Sequence, residues 1–396
     1  MAAQKAMLAE FPFSEDYRVS GLDDVLTPAL AIYPEMIASN LERTLALLQG
    51  DGGRWRVHIK TAKLGYTLRM IVERGIRNFK CATTLELLTA CDSGAEDVLF
   101  AYPAMGANAR RVRELAEQFR GVRVSVLVEN DDQIRQWRGS RLGVFLDVNP
   151  GMNRTGVEQA SVVEIVRLAS SVGSAGLQFR GLHYYDGHLG GLALEERTQA
   201  AHRGYGQLVE LANAIEDTGI EVGEVVTAGT PTFPCSLSYA AFRGRRFTHR
   251  VSPGTIVYGD ASSLAQLPAE YGYQPAALVI ARVVSQPRAG NITCDAGHKT
   301  VSADAGVPTC VVLGHPELAP LGPSEEHLPF AVAEGARGPK PGDILYLLPR
   351  HVCPTVNNFD CALLVRRGQI EAVEKVSARG REAPLLPVER AAPLSR

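Results

Sequence analysis

The stretch Arg56-Val57-His58-Ile59-Lys60, followed by TLRMIVERG (67–75), NFKCAT (78–83), LELLTACDSG (85–94) and DVLFAY (97–102), decides the fold. Short runs rich in β-branched and aromatic residues alternate there with segments whose apolar residues recur at helical spacing, which is how strands followed by crossover helices read. The pattern extends both ways. Upstream stand PALAIY (28–33) and MIASNLERTLALL (36–48); downstream come NARRVRELAEQF, RVSVLVE (123–129), GVFLDVN (143–149), VEQASVVEIVRLASSV, FRGLHYYDG (179–187), EVVTAG (224–229) and RVSPGTIVYG (250–259). Eight or nine such units between 28 and 260 predict an α/β protein with a (β/α)8 TIM-type barrel rather than an open sheet. From about Ala261 the helices disappear. AALVIARVVSQ, NITCDAG, TCVVLGH, PGDILYLLP, HVCPTVNN and CALLVRRGQIEAV read as strands joined by Gly and Pro turns. A mainly β second domain is expected, with the barrel over 28–260 and the β domain built from 1–27 with 261–396.

Composition narrows the function. The 396 residues are 45% hydrophobic and 21% charged, and 41 Lys plus Arg against 43 Asp plus Glu give a formal charge of −2. No basic excess points to nucleic acid. Apolar stretches such as Ala29 to Tyr33 and Val144 to Val148 are far shorter than the roughly 20 residues that span a bilayer, so no membrane role is expected. The first residues, MAAQKAMLAEFPFSEDY, carry acids where a signal peptide needs an apolar run, and the cytoplasm is the expected compartment. Seven cysteines lie scattered with no CxxC pair, which argues against a disulfide framework and a closed zinc finger and suggests small buried residues. The tail from about Glu382 reads as frayed.

Chemistry in a barrel sits at the C-terminal ends of its strands. Alternation along 55–60 puts Trp55, Val57 and Ile59 on one side and Arg56, His58 and Lys60 on the other. If that second side faces the interior, three basic groups need a bound anion or shifted pKa values; otherwise they face solvent. Asp147 and Asn149 end another strand, capped by the loop that holds Arg154, and His183-Tyr184-Tyr185-Asp186-Gly187-His188 ends a third. Gly229-Thr230-Pro231-Thr232 and Ser252-Pro253-Gly254-Thr255 offer backbone N–H groups and hydroxyls after late strands, where barrels hold phosphate, although Gly-Thr and Pro-Gly are also plain turn chemistry. A phosphate cradle together with a lysine at Lys60 is what pyridoxal phosphate requires. In the β region, His351 and Cys353 stand two apart on an expected strand, hence on one face, and offer a two-ligand bite for zinc or a similar metal; a buried Cys beside a capping His is the alternative. Ser324-Glu325-Glu326-His327 reads either as outer partners of that pair or as an exposed acidic turn.

The motifs Arg56-Val57-His58-Ile59-Lys60-Thr61-Ala62-Lys63, Arg154-Thr155-Gly156, Tyr185-Asp186-Gly187-His188-Leu189, Gly229-Thr230-Pro231-Thr232, Pro253-Gly254-Thr255 and His351-Val352-Cys353-Pro354-Thr355-Val356-Asn357 resemble the D-threonine aldolase and D-serine dehydratase group. These are metal-dependent pyridoxal phosphate enzymes with an alanine-racemase-type barrel. The resemblance runs from about Thr27 to Gly380. It implies Lys60 as the Schiff-base lysine, Arg154 near the cofactor ring, Tyr185 beside the cofactor, Thr230, Gly254 and Thr255 at the phosphate, and His351 and Cys353 on a divalent zinc, manganese or cobalt ion. It also implies a homodimer, and it assigns PALAIY to the β domain, leaving RVSPGTIVYG as the eighth barrel strand. The implied substrate is a small 3-hydroxy-D-amino acid, cleaved to glycine and an aldehyde. Val57 and Ala62 replace the proline and second histidine common in the aldolase lysine motif. Cys353 stands where aldolases carry Asp and dehydratases carry Cys, which keeps dehydration of D-serine or 3-hydroxy-D-aspartate as the alternative. A racemase needs a second acid or base opposite Lys60, and none stands out. A non-enzymatic cofactor carrier needs neither the His/Cys pair nor a second domain.

Overall fold

The computed structural model describes residues 13–385. Strand β1 (Ala29–Ile32) comes first, followed by the strands of a parallel sheet: β2 (Arg56–His58), β3 (Asn78–Cys81), β4 (Asp97–Phe100), β5 (Arg123–Val128), β6 (Gly143–Asn149), the two-residue β7 (Val157–Glu158) beside it, β8 (Gln178–Tyr184), β9 (Glu224–Thr227) and β10 (Thr248–Val251). The order β10-β9-β8-β6-β5-β4-β3-β2 follows the chain, every pair being parallel. A single bridge between Trp55 and Val251 brings β10 back to β2 and nearly closes the cylinder, and the Trp55 indole N–H donates to the Pro253 carbonyl at 2.9 Å across that seam. This is the eight-stranded barrel that the alternation predicted.

Helices cover it because their apolar residues fall on one face. In Val162–Ser174, Ile165, Leu168, Ala169 and Val172 are buried while Glu164 and Arg167 pair on the outer side. Thr83 caps the helix Thr84–Asp92 by accepting the Glu86 N–H, and Asn130 does the same for Asp131–Trp137 at Gln133.

Inward-facing side chains stack in three layers. At the N-terminal ends of the strands, the fully buried Arg56 donates to Glu224 at 2.7 and 2.8 Å and to Asp97 at 2.9 Å. Arg180 joins Asp97 at 2.9 Å, and Arg250 joins Glu224 at 2.5 Å. Burial favours a neutral Asp97, yet Arg56 and Arg180 hold its pKa down at about 2. Above this layer Leu99, Leu127, Phe145 and Val226 form a small apolar cluster of their own. The third layer is polar again and belongs to the barrel mouth.

The second sheet contains β11 (Ala277–Arg288), β12 (Asn291–Cys294), β13 (Cys310–Val312), β14 (Leu318–Pro320), β15 (Leu328–Val332), β16 (Ile344–Pro349), β17 (Cys361–Arg366) and β18 (Gln369–Lys375). Its main path runs β14-β15-β12-β11-β1-β17-β18, with β13 and β16 branching from β11. Strand β1 sits antiparallel to β11 and parallel to β17. PALAIY thus lies in the second sheet, as the family resemblance implies, and the strand set of the barrel starts at Arg56 rather than at residue 28.

Three local expectations change. HVCPTVNN is not a strand: β16 ends at Pro349, His351 occupies the N-cap position, and Val352–Val356 is a short helix. Cys361 is exposed, so the burial expected of the cysteines outside the His/Cys motif holds for five of them. The start of the C-terminal tail is tied down, since Glu382 pairs with Arg111 at 2.9 Å; residues 386–396 lie outside the described part, as do residues 1–12 of the N-terminal expectation. No helix among the described residues is long and apolar enough to cross a membrane.

Candidate active site

The C-terminal ends of β2, β3, β6 and β8 bring a group of basic side chains around one aromatic ring. Tyr185, just past β8, has the Arg154 guanidinium 4.9 Å from its ring centroid, the Lys60 amine at 5.9 Å and the Lys80 amine at 5.7 Å. Attraction of cations to the ring face gathers them despite their like charge. His58 and His183 complete the layer. The His58 ring is kept neutral first by burial and then by Lys60, Lys80, His183 and Arg154, which hold its pKa well below the usual imidazole range. Asp147 is the carboxylate facing them. Its Oδ1 lies 2.7 Å from His183 Nδ1, while Oδ2 is buried with no hydrogen-bond partner. A small cavity opens here, lined by Asp147, Arg154, Thr155, His183 and Tyr185 among others.

The alternation read along 55–60 holds in part. Arg56 and His58 point inward, but Arg56 is answered by Asp97 and Glu224 and belongs to the ion layer at the far end. Lys60 lies beyond the end of β2, in the turn that carries Thr61.

The late strand ends meet as their turn chemistry suggests. Thr230 is buried, and its hydroxyl accepts the Thr255 N–H at 3.2 Å. Gly254 packs against β2 so closely that a Cβ there would lie 2.2 Å from the His58 carbonyl oxygen, and a Cβ on Gly229 would come within 2.7 Å of the Tyr185 ring. Asp186, beside Tyr185, accepts from Tyr205 at 2.6 Å and from Thr232 at 2.5 Å, which ties the β8 end to the β9 loop.

His351 and Cys353 come together through the turn into the short helix and not through a strand pleat. Asp260 holds that turn against the barrel by accepting the Val352 N–H at 3.0 Å. Cys353 Sγ lies 2.9 Å from the Thr61 hydroxyl and 3.8 Å from that of Thr255, so it touches the neighbours of both Lys60 and the Thr230 cradle. Burial lowers the His351 pKa, but Cys353 and Asp304 outweigh it and raise it to about 9; burial raises the Cys353 thiol, and His351 and Lys60 bring it below its usual value. Asp304 Oδ2 is 2.7 Å from His351 Nδ1, leaving Nε2 free to ligate. Among the described residues no group of three or more His, Cys, Asp or Glu forms a metal cage. The expected outer partners Glu325 and Glu326 are exposed and pair with Lys299 instead. The eight residues expected at the cofactor and the metal, Lys60, Arg154, Tyr185, Thr230, Gly254, Thr255, His351 and Cys353, thus lie in one connected group, which Glu325 and Glu326 do not join.

Lys80 was not singled out. Its signal was a lysine flanked by Phe79 and Cys81 in a short strand run, at the same inward alternation as His58, with which it is paired in register.

Residues 32–262 match the family described as alanine racemase, N-terminal domain. The chain belongs to that family. Residues 276–365, in the second sheet, match a putative serine dehydratase domain. A D-threonine aldolase of Arthrobacter sp. is 26% identical over 89% of this chain and 93% of its own. A 3-hydroxy-D-aspartate aldolase of Paracoccus denitrificans is 26% identical over 91% and 94%. The crystal structure of D-threonine aldolase from Filomicrobium marinum superposes with a TM-score of 0.82 at 28% identity, covering 90% of this chain and 97% of that one.

Proposed function

We propose that this chain is a pyridoxal phosphate- and divalent-metal-dependent lyase of 3-hydroxy-D-amino acids, cleaving a D-threonine-type substrate to glycine and an aldehyde. The observation that carries this reading is the 2.9 Å contact of Cys353 with Thr61, which seats the His351–Cys353 pair against the turn that bears Lys60.

The alanine racemase family is pyridoxal phosphate-dependent, and the residues present fit that cofactor. Lys60 offers the amine. Thr230, Gly254 and Thr255 form a close-packed cradle of hydroxyl and backbone N–H groups at the phosphate end, and the mouth carries more cations than its single facing carboxylate can balance. When bound, the cofactor withdraws electrons from the substrate Cα. Arg154 and Tyr185 orient its ring and exclude water from that face, and Lys60 Nζ holds and moves a proton beside Cα. His351 Nε2 and Cys353 Sγ would hold a zinc, manganese or cobalt ion, whose Lewis acidity lowers the pKa of the β-hydroxyl. Asp304 fixes the His351 ring for that task. The same reading places the protein in the cytoplasm as a homodimer acting on a small-molecule substrate.

Dehydration to a 2-oxo acid and ammonia is the second reading. It is favoured by Cys353 and by the serine dehydratase domain match over 276–365. Incubation with D-threonine and D-serine, with and without chelator, decides between them. Glycine plus acetaldehyde is expected, ammonia plus oxo acid would establish the dehydratase, and full activity in chelator would remove the metal from the reading. K60A is expected to abolish turnover and the near-visible absorption of the purified protein; unchanged absorption would sink the cofactor assignment.

A further inference from the structure

The lyase reading leaves one buried cation without a duty. Lys60 serves the cofactor carbon and Arg154 its ring, whereas Lys80 projects into the same mouth, 5.7 Å from the Tyr185 centroid, with only 2% of its surface exposed. The structure holds it in place. Asp147 Oδ1 accepts from His183 Nδ1 at 2.7 Å, which fixes the tautomer and leaves Nε2 as the acceptor that meets Lys80 Nζ at 3.4 Å. Giving one N–H to His183 leaves the ammonium form of Lys80 two N–H donors for a ligand.

The groups facing Lys80 from neighbouring elements are Lys60, His58 and Arg56 on or after β2, Arg154 and Asp147 on and after β6, and His183 on β8. One carboxylate stands among them, with one oxygen already engaged by His183. Burial, and after it Lys60, lowers the Lys80 pKa to about 7, so this amine is only partly protonated at pH 7 and mostly neutral at pH 8. An arriving anion reverses that balance. An amino-acid substrate brings such an anion, its α-carboxylate, into a water-poor site where an unpaired charge is costly.

We propose that Lys80, oriented by the His183–Asp147 pair, is the anchor for the substrate's carboxylate. Binding then takes a proton from solvent on to Lys80 Nζ, and the resulting ammonium pairs with the carboxylate; no covalent bond changes. This inference rests on the lyase reading and adds to it the residue that recognises the acid.

The test uses the cofactor-loaded protein and D-alanine, which has the amine and the carboxylate but no β-hydroxyl to react. Titration is followed by cofactor absorbance, and by calorimetry at pH 8 in two buffers of different ionisation heat. K80M is expected to bind D-alanine at least tenfold more weakly, and K80R to recover most of that loss. D147N, which keeps Lys80 but loosens His183, is expected to weaken binding about threefold. Proton uptake on binding, present in the parent protein, is expected to vanish in K80M. With D-threonine the K80M defect is expected in KM more than in kcat. D-alanine affinity within twofold of the parent, or unchanged proton uptake, would overturn the anchor. So would a K80M protein that loses affinity for pyridoxal phosphate alone, since Lys80 would then serve the cofactor. A parent protein with no Lys60-dependent absorption would overturn the lyase reading and this inference with it, a result distinct from the others.

Discussion

The two ends of the barrel interior are both crowded with charge, and they differ in how it is balanced. At the closed end Arg56, Arg180 and Arg250 are met by Asp97 and Glu224 at 2.5 to 2.9 Å. At the mouth Lys60, Lys80 and Arg154 crowd around Tyr185 and find one carboxylate, Asp147, half of it unpartnered. Phe145 and its apolar neighbours lie between the two layers, with the Arg56 and Arg180 guanidinium groups 5.9 and 5.6 Å from the Phe145 ring centroid. A buried charge with its partner built in supports the fold, while buried charges without partners mark where a ligand supplies them.

The balanced end is the easier one to break. R56M would remove the cation shared by two buried carboxylates and leave each with one arginine fewer, and loss of one member of a buried ion network costs about 3–5 kcal/mol. Denaturant unfolding of the apoprotein should show that loss with the native spectrum otherwise retained; a change below about 1 kcal/mol would mean the network is not what holds this end.

D97N tests the same layer through pH. The Asp97 carboxyl sits at about 2 in the folded protein and near the ordinary aspartate value of 3.8 when unfolded. Its contribution is therefore fully present above pH 4 and is lost as pH falls through 4 towards 2, and the shift corresponds to about 2 kcal/mol. D97N should lack that contribution at pH 7 and lose less stability than the parent between pH 4 and 2; parallel acid profiles would refute the assignment. A smaller effect is expected from F145L, which thins the apolar layer between the ends and should cost about 1 kcal/mol as a volume-reducing core change. Urea midpoints would show it.

How much of this was legible beforehand follows the same division. Strand–helix alternation carried the barrel because burial on both faces leaves short, nearly continuous β-branched and aromatic runs between the helices, and Lys60, Arg154, Tyr185, Thr230, Gly254 and Thr255 stood at strand ends where local motifs are visible. The layering was not legible. Arg56 and Lys60 look alike in the sequence, and what separates them is Glu224, which lies 168 positions away from Arg56. Lys80 was hidden by the same distance effect, since His183 and Asp147 come from other strands. The strand expected at His351 failed because Pro354 and Thr355 follow at once, and a turn brought His351 and Cys353 together where a pleat was expected.

The mouth should answer the opposite way from the closed end when a cation is removed. Lys80 titrates near 7 in the folded protein, whereas an exposed lysine titrates near 10.4, so between those values the unfolded chain binds more protons and stability rises with pH. At pH 7 the buried amine is therefore a burden on the apoprotein. K80M should relieve it, offset in part by leaving His183 Nε2 without a donor, for a net gain on the order of 1 kcal/mol. The parent should close that gap between pH 7 and 8.5, while the buried thiols and tyrosines, common to both proteins, cancel in the comparison. Thermal melts of the two apoproteins across that range measure the gap directly. A destabilised K80M at pH 7 would place Lys80 among the structural charges of the other end and would remove the contrast between the two layers.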